Sequence, residues 1–325
     1  MNTVLKRLTA FVLVLMLGIC PVMAEDTGTD ETEEDDIVVM DPTEEIELNE
    51  IDPLVLEKRA EVSEMRHLLL IGIDARPGEK TGRADTIIIV TIDPDDNVIK
   101  MTSIMRDLYV EIPGRKNNRI NAAYVFGGPE LLMETIELNF GIHVDSYIAV
   151  NFSMLGTLID AIGGLVLVVE DEYYMERINA VIKMDNKVLG IDINDGLLTH
   201  TGEQLMTGKQ AQAYARYRYG TADGDFGRTA RQREVVTKIF DKLSGMTVIQ
   251  LMSLVMDNAG NVYTNIPLDE LASFAPVVVS MNGAEIQELR LPVDGGYTSQ
   301  TIAGMSVLVP DRDVNARALM EFLGE

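Results

Sequence analysis

Four short segments of this 325-residue chain set ionic side chains beside apolar runs. Gly72-Ile73-Asp74-Ala75-Arg76 directly follows one such run, and Gly82-Arg83-Ala84-Asp85-Thr86 directly precedes the next. Met105-Arg106-Asp107 closes a third. The fourth segment is Tyr214-Ala215-Arg216-Tyr217-Arg218-Tyr219, followed by Asp225-Phe226-Gly227-Arg228 and then Arg231-Gln232. Arginine presents a planar fork that grips two phosphate oxygens at once. Two carboxylates such as Asp74 and Asp85 suit Mg²⁺, which takes one or two protein carboxylates and fills its shell with phosphate and water. Arginines and a hard cation around a phosphate describe phosphoryl transfer. A single Asp–Arg pair at a strand end is more often structural. Arginines gathered from several regions of an acidic chain shift the balance toward an anion site, although the pattern names no particular anion.

Spacing refines this reading. Arg216 and Arg218 stand at i and i+2, so an extended segment would aim both forks at one point, whereas a helix would not. Arg228 and Gln232 stand at i and i+4, neighbours on one helix face. Arg228 falls in the first turn of its predicted helix, where free backbone N–H groups favour an anion. Asp74 and Asp85 flank a loop and can face one pocket if their two strands are adjacent.

The elements that must hold these residues follow from periodicity. His67–Ile73, Ile87–Ile92 and Val98–Ile104 read as strands, and a turn near Asp95 joins the last two as an antiparallel pair. Pro129–Leu138 has helical spacing, Tyr147–Phe152 is a strand, and Ser153–Ile162 is a helix closed by Gly163-Gly164. Leu165–Val169 reads as a fully apolar strand. Residues 170–195 are weakly patterned and read as an excursion. Thr207-Gly208-Lys209-Gln210 is a capping box that starts a helix running to about Arg216. A long helix covers Asp225–Leu243, another covers 267–280, a strand lies near 286–291, and a last helix starts near 313. Strands and helices alternate, so the fold class is α/β, with a mixed β-sheet flanked by helices on both faces. Chain ends along one edge of such a sheet are where ligands bind.

Composition narrows the function. The formal charge is −25, from 27 basic and 52 acidic residues. The first 24 residues carry +2 and residues 25–52 carry −14, which leaves −13 for residues 53–325. Nucleic-acid binding needs a basic face to displace counterions, so no nucleic-acid partner is expected. The single cysteine excludes an intrachain disulfide, and His67, His143 and His200 lie too far apart in sequence for a metal-ligand motif.

Lys6 and Arg7 precede an apolar run from Thr9 to Cys20, and Val22-Met23-Ala24 fits a signal-peptidase site. The run is short for a membrane span of about 20 residues. Residues 1–24 therefore read as a signal peptide, with a short membrane anchor as the alternative. Residues 25–57 contain no Lys or Arg. Like-charge repulsion keeps such a stretch extended, so 25–63 is assigned to an acidic disordered linker and 64–325 to the folded domain.

Several segments together resemble a known family. They are "LLLIGIDAR", "GRADTIIIVTIDPDDNVIKMTSIMRDLYVEIPG", "RINAAYVFGG", "VNFSMLGTLIDAIGGLVLVV" and "GKQAQAYARYRYGTADGDFGRTARQREVV". In this order, from about 66 to 245, they resemble the LytR-CpsA-Psr family of bacterial cell-envelope proteins, and "LRLPVDGGY" and "VLVPD" resemble the end of that family's domain. The resemblance implies a three-layer extracytoplasmic domain, secreted or tethered at the outer face of the cytoplasmic membrane. It implies transfer of a phospho-glycopolymer from a polyprenyl-diphosphate carrier to a cell-wall acceptor, usually peptidoglycan, with pyrophosphate hydrolysis as a side activity.

Carried over residue by residue, the resemblance makes Asp74 and Asp85 the holders of Mg²⁺ or Mn²⁺. It makes Arg83, Arg106, Arg216 and Arg218 the grip on the diphosphate, and Asp225, Arg228 and Gln232 further pocket positions. Arg119 stands where the family often has Lys in "KINAAY". Arg76 and Arg231 join as substrate-binding candidates from their place in the charged segments. Asp85 or Asp225 would act as base. The lipid tail needs an apolar slot, to which Phe152, Leu155, Leu158, Ile159 and Leu165–Val169 could contribute if they are not ordinary core. The alternatives are a non-catalytic polyprenyl-diphosphate-binding protein and a regulatory envelope protein.

Overall fold

The computed structural model describes residues 46–57, 67–74, 82–93, 96–217, 224–258 and 263–324, apart from the side chains at 152–153 and 224–225. In chain order the elements begin with a short helix α1 (Pro53–Glu57), β1 (His67–Asp74), β2 (Arg83–Asp93), β3 (Val98–Ile104), β4 (Tyr109–Val110), β5 (Asn118–Arg119) and helix α2 (Ile120–Phe140). They continue with β6 (Ser146–Asn151), α3 (Phe152–Ala161), β7 (Leu165–Val169), α4 (Glu172–Val188), β8 (Gly202–Met206), α5 (Gly208–Arg216) and α6 (Gly224–Ser244). The rest are α7 (Val248–Asn258), β9 (Tyr263–Thr264), α8 (Leu268–Ser273), α9 (Ala275–Ser280), β10 (Glu285–Leu291), β11 (Tyr297–Ile302), β12 (Met305–Pro310) and α10 (Arg312–Gly324).

Six strands form a mixed sheet in the order β10-β3-β2-β1-β6-β9. The central hairpins β1–β2 and β2–β3 are antiparallel, while β6 and β10 join β1 and β3 in parallel. The middle strands are apolar on both faces because both faces are covered. Leu68, Leu70, Ile88 and Val90 pack toward α3, α5 and α6, whereas Leu69, Ile71, Ile87 and Ile89 pack toward α2 and α10. The expected α/β architecture with helices on both faces is what the chain adopts.

Departures from the expected elements have local causes. Helix α2 starts at Ile120, ahead of the predicted Pro129, and breaks at Gly127 and Gly128, whose backbones leave the helical region. Residues 267–280 form two short helices, α8 and α9. Pro276 has no N–H to donate and sits in the first turn of the second. The stretch 170–195 contains the 17-residue helix α4, capped by the Asp171 side chain. Helix α7 and the β11–β12 hairpin were not predicted. β7 is a strand with the expected bounds, but among the described residues it pairs with β8 outside the six-stranded sheet, and Val166 and Val168 on its outer face are exposed.

The acidic linker ends sooner than its charge suggests. Asn49 Nδ2 donates to Asp311 Oδ1 at 2.9 Å, and the Asp52 backbone N–H donates to Asp313 Oδ1 at 2.9 Å. Val55 is buried in the same core as α2 and α10. Residues 46–57 thus strap across the domain. Among the described residues no helix is long and apolar enough to cross a membrane.

Candidate functional site

One end of the sheet collects the charged residues. β1 and β3 finish there, β2 begins there, and α6 starts above it. Asp74 and Arg83 face each other across the β1–β2 ladder. Gly82 makes this closeness possible: a Cβ at that position would lie 2.3 Å from the Asp74 carbonyl oxygen. The next ladder positions pair Ile73 with Ala84 and then Gly72 with Thr86, so Asp85 is the extra residue of a β-bulge. A bulge re-aims a side chain that regular alternation would send elsewhere.

Asp85 is 6% exposed, and two arginines meet its carboxylate. Arg106, two residues beyond β3, donates from Nη1 to Oδ1 at 2.7 Å. Arg228, the fifth residue of α6 and so past the first turn in which the sequence places it, is 2% exposed and sets Nη1 3.6 Å from Oδ2. Asp107 extends the network. Its Oδ2 lies 3.5 Å from Arg106 Nε and its Oδ1 lies 3.3 Å from Arg119 Nε. Arg119 then donates from Nη2 to the Ser306 carbonyl at 2.7 Å, tying the β11–β12 hairpin to the site. The carboxylates of Asp85 and Asp107 hold the guanidinium groups of Arg106, Arg228 and Arg119 in fixed geometry. Such an arrangement receives an anion without having to reorganise.

An apolar pocket lies beside this cluster. Leu70, Ile88, Ile148, Val150 and Leu155 line it, with Val235 and Val236 from α6. Thr86, next to Asp85, and Gln232, one turn after Arg228, complete the wall. Of the residues expected to form an apolar slot, Leu155 does so. Leu158, Ile159 and the inward residues of β7 are ordinary core, and the Phe152 side chain lies outside the described set.

Other expectations divide. Arg76 and Arg218 lie outside the described residues, as does the side chain of Asp225. The extended Arg216–Arg218 segment is corrected in part, because α5 takes in Arg216 as its last residue and extended backbone begins at Tyr217. Arg216 donates from Nη1 to Asp185 Oδ2 on α4 at 2.7 Å. Arg231 stacks on the Tyr217 ring at 3.7 Å and donates to the Tyr217 carbonyl at 2.6 Å, which makes it a brace between α5 and α6. Beside it, burial and a hydrogen bond to Glu234 push the Tyr214 phenol far up, and burial pushes Tyr217 up to about 12, so both stay neutral.

The sequence assigns Asp107 no role, and only the fold brings Arg119 to it. Among the described residues no group of three or more His, Cys, Asp or Glu gathers to hold a metal. Asp74 and Asp85 therefore offer two hard carboxylates on neighbouring strands. That donor set fits Mg²⁺, whose remaining ligands come from phosphate and water.

The family model described as "LytR_cpsA_psr family" matches residues 23–320. A Bacillus licheniformis protein named polyisoprenyl-teichoic acid–peptidoglycan teichoic acid transferase TagU is 35% identical over 208 residues, 63% of this chain and 61% of that relative's length. The chain therefore spans less than two thirds of that relative. Regulatory protein MsrR of Staphylococcus aureus (strain COL) is 30% identical over 260 residues, 79% of this chain and 74% of its own. A solved structure described as TagT bound to LI-WTA is 26% identical with a TM-score of 0.63, covering 85% of this chain and 93% of its own.

Proposed function

The chain belongs to the LytR_cpsA_psr family, and from that premise we propose that it transfers a phospho-glycopolymer from a polyprenyl-diphosphate carrier to a cell-wall acceptor, peptidoglycan. The single observation that carries this reading is an apolar pocket whose wall includes Thr86, next to Asp85 in β2, and Gln232, one turn after Arg228 in α6, two members of the Asp85–Arg106–Arg228 cluster. A ligand that fits both must be apolar at one end and strongly anionic at the next. A polyprenyl diphosphate is such a molecule. The names of the TagU relative and of the TagT complex support the same chemistry.

In this reading Arg106 and Arg228 grip the diphosphate, helped by Arg83, by Arg216 at the end of α5, and by Arg218. Asp85 keeps Arg106 and Arg228 apart and aimed, and Asp107 does the same for Arg106 and Arg119. Asp74 and Asp85 would hold Mg²⁺ or Mn²⁺, which when bound neutralises diphosphate charge. An acceptor hydroxyl oxygen forms the new bond to phosphorus, and the bond to the bridging oxygen of the lipid phosphate breaks. Polyprenyl phosphate leaves with its charge on the arginines. The hydroxyl proton passes to a carboxylate, with Asp85 and Asp225 as the two candidates. Water in place of the acceptor would give pyrophosphate hydrolysis. The apolar segment 9–20 supports placing the domain outside the cytoplasmic membrane, secreted or tethered.

The test is to incubate the purified chain with a polyprenyl-diphosphate saccharide and follow polyprenyl phosphate. Release is expected with Mg²⁺, is expected to stop with EDTA, and should fall at least ~100-fold in Arg228→Gln, the scale of one lost transition-state donor. Tight lipid binding without release, with peptidoglycan fragments present, would make the chain a carrier instead.

A further inference from the structure

A second cluster stands at the same end of the sheet, on the side away from the apolar pocket. Phe226 lies in the first turn of α6, two residues before Arg228. The Arg290 guanidinium covers its ring at 4.4 Å, and the Tyr297 ring centroid lies 6.2 Å away at 36°. Arg290 pairs with Ser103 across the β10–β3 ladder, and Ser103 pairs with Ile88 on β2. Arg290 therefore sits three residues short of Arg106 along the sheet and on the α6 face. The pocket occupies the β2, β1 and β6 side of this end, the Asp85 cluster lies in the middle, and the Phe226–Arg290–Tyr297 stack lies on the β3 and β10 side.

Each member of the stack keeps a surface available. Phe226 and Tyr297 are half-buried, and the Arg290 side chain is 24% exposed. Among the described residues the Tyr297 hydroxyl has no hydrogen-bond partner. Arg290 donates from Nε to the Pro292 carbonyl at 3.3 Å, and its Nη2 meets Asp294. The Asp294 side chain is 92% exposed, and such a pair contributes little and yields readily to another anion. Beyond Tyr297 the outward strand β11 shows Thr298, Ser299, Gln300 and Thr301 to solvent, a row of hydroxyl and amide groups whose far edge pairs with no strand among the described residues. An aromatic face, a displaceable arginine and a row of hydroxyl and amide groups are what a sugar ring with an acidic substituent needs: a C–H face to stack, an anion to pair, and hydroxyls to bond.

We propose that Phe226, Arg290 and Tyr297 form a saccharide subsite that binds an acidic sugar on the side of the charged centre opposite the lipid pocket. It rests on the transfer reading for the order lipid, diphosphate, sugar along the sheet edge. The sugar belongs either to the acceptor glycan or to the first units of the donor, and binding measurements separate the two.

The test uses the full chain and its Tyr297→Ala, Tyr297→Phe and Arg290→Gln variants, with melting curves to confirm folding. One arm titrates a soluble peptidoglycan glycan fragment carrying its lactyl carboxylate. The other compares bare polyprenyl diphosphate with a polyprenyl-diphosphate saccharide. An acceptor subsite predicts that the chain binds the fragment, that Tyr297→Ala and Arg290→Gln weaken it at least tenfold, and that Tyr297→Phe stays within threefold. A donor subsite predicts no fragment binding, but a tighter hold on the lipid-linked saccharide than on the bare lipid, which the same two variants abolish. Equal behaviour of the native chain and those variants in both arms overturns the proposal. Failure to bind bare polyprenyl diphosphate would instead sink the transfer reading, while the fragment arm still decides the subsite.

Discussion

Asp85 carries more of the site than its single charge suggests. It is buried, it is the bulged residue of β2, and it holds Arg106 and Arg228 at once. Replacing it by Asn leaves the shape and removes the charge, so two guanidinium groups lose their shared, buried counter-ion. Breaking a buried pair in this way costs about 3–5 kcal/mol. Asp85→Asn is therefore expected to lower the denaturant midpoint clearly and to remove transfer activity together. Rescue of stability, without rescue of activity, is expected when a polyprenyl diphosphate or inorganic pyrophosphate supplies the missing negative charge. A variant as stable as the native chain would show that the arginines do not depend on Asp85. The sequence shows the charges of this centre but not their pairing. Arg106 and Asp85 could be read as neighbours of strand ends, yet nothing in the spacing marks the bulge. Nor does it show that Arg216 pairs with Asp185, 31 positions away.

At the scale of elements, close approach decides what the strands and helices can position. A Cβ on Gly208 would lie 1.7 Å from the Gly156 carbonyl oxygen, so α3 and α5 touch backbone to backbone at this point. Gly208→Ala must push the helices apart, at a cost of about 3 kcal/mol, or roughly 6–12 °C in Tm for a domain of this size. The neighbouring Thr207→Ala removes only the capping box and should cost about 1 kcal/mol. A Gly208 variant milder than the Thr207 variant would mean that the two helices separate freely. The capping box, the hairpin β2–β3 and the start of α6 were legible because each is written locally, in cap residues, alternation and a turn cluster. Helix α4 was missed because its apolar stripe is narrow, with Ile178 and Ile182 buried among charged residues. The bounds of β7 are legible, but a run of Leu and Val does not show that alternate side chains are exposed. Helix α2 was started late because its first half, Ile120–Phe126, lies on the far side of a Gly-Gly break that hides its continuity.

Over the whole molecule, buried phenols set the alkaline limit of stability. Burial pushes Tyr124 and Tyr217 up to about 12, and Tyr214 is pushed higher still by burial and by its bond to Glu234. All three lie in packed positions, Tyr124 in the core on the α2 side of the sheet and the other two on the α5 side. A folded-state value above the unfolded one means that the native chain holds its phenol protons more tightly. Stability from these groups is therefore complete below about pH 10, the ordinary tyrosine value. It falls as pH rises from there through 12, because the unfolded chain ionises first. The denaturant midpoint should be level from pH 8 to 9 and drop steeply between 10 and 12. Phenolate absorbance should show exposed tyrosines titrating first, then a cooperative step as the buried ones ionise with unfolding. Tyr217→Phe should make the drop shallower, since it removes one of the coupled groups and keeps the ring beneath Arg231. A smooth titration of all ten tyrosines near pH 10 with the fold intact would show that both faces of the sheet admit water.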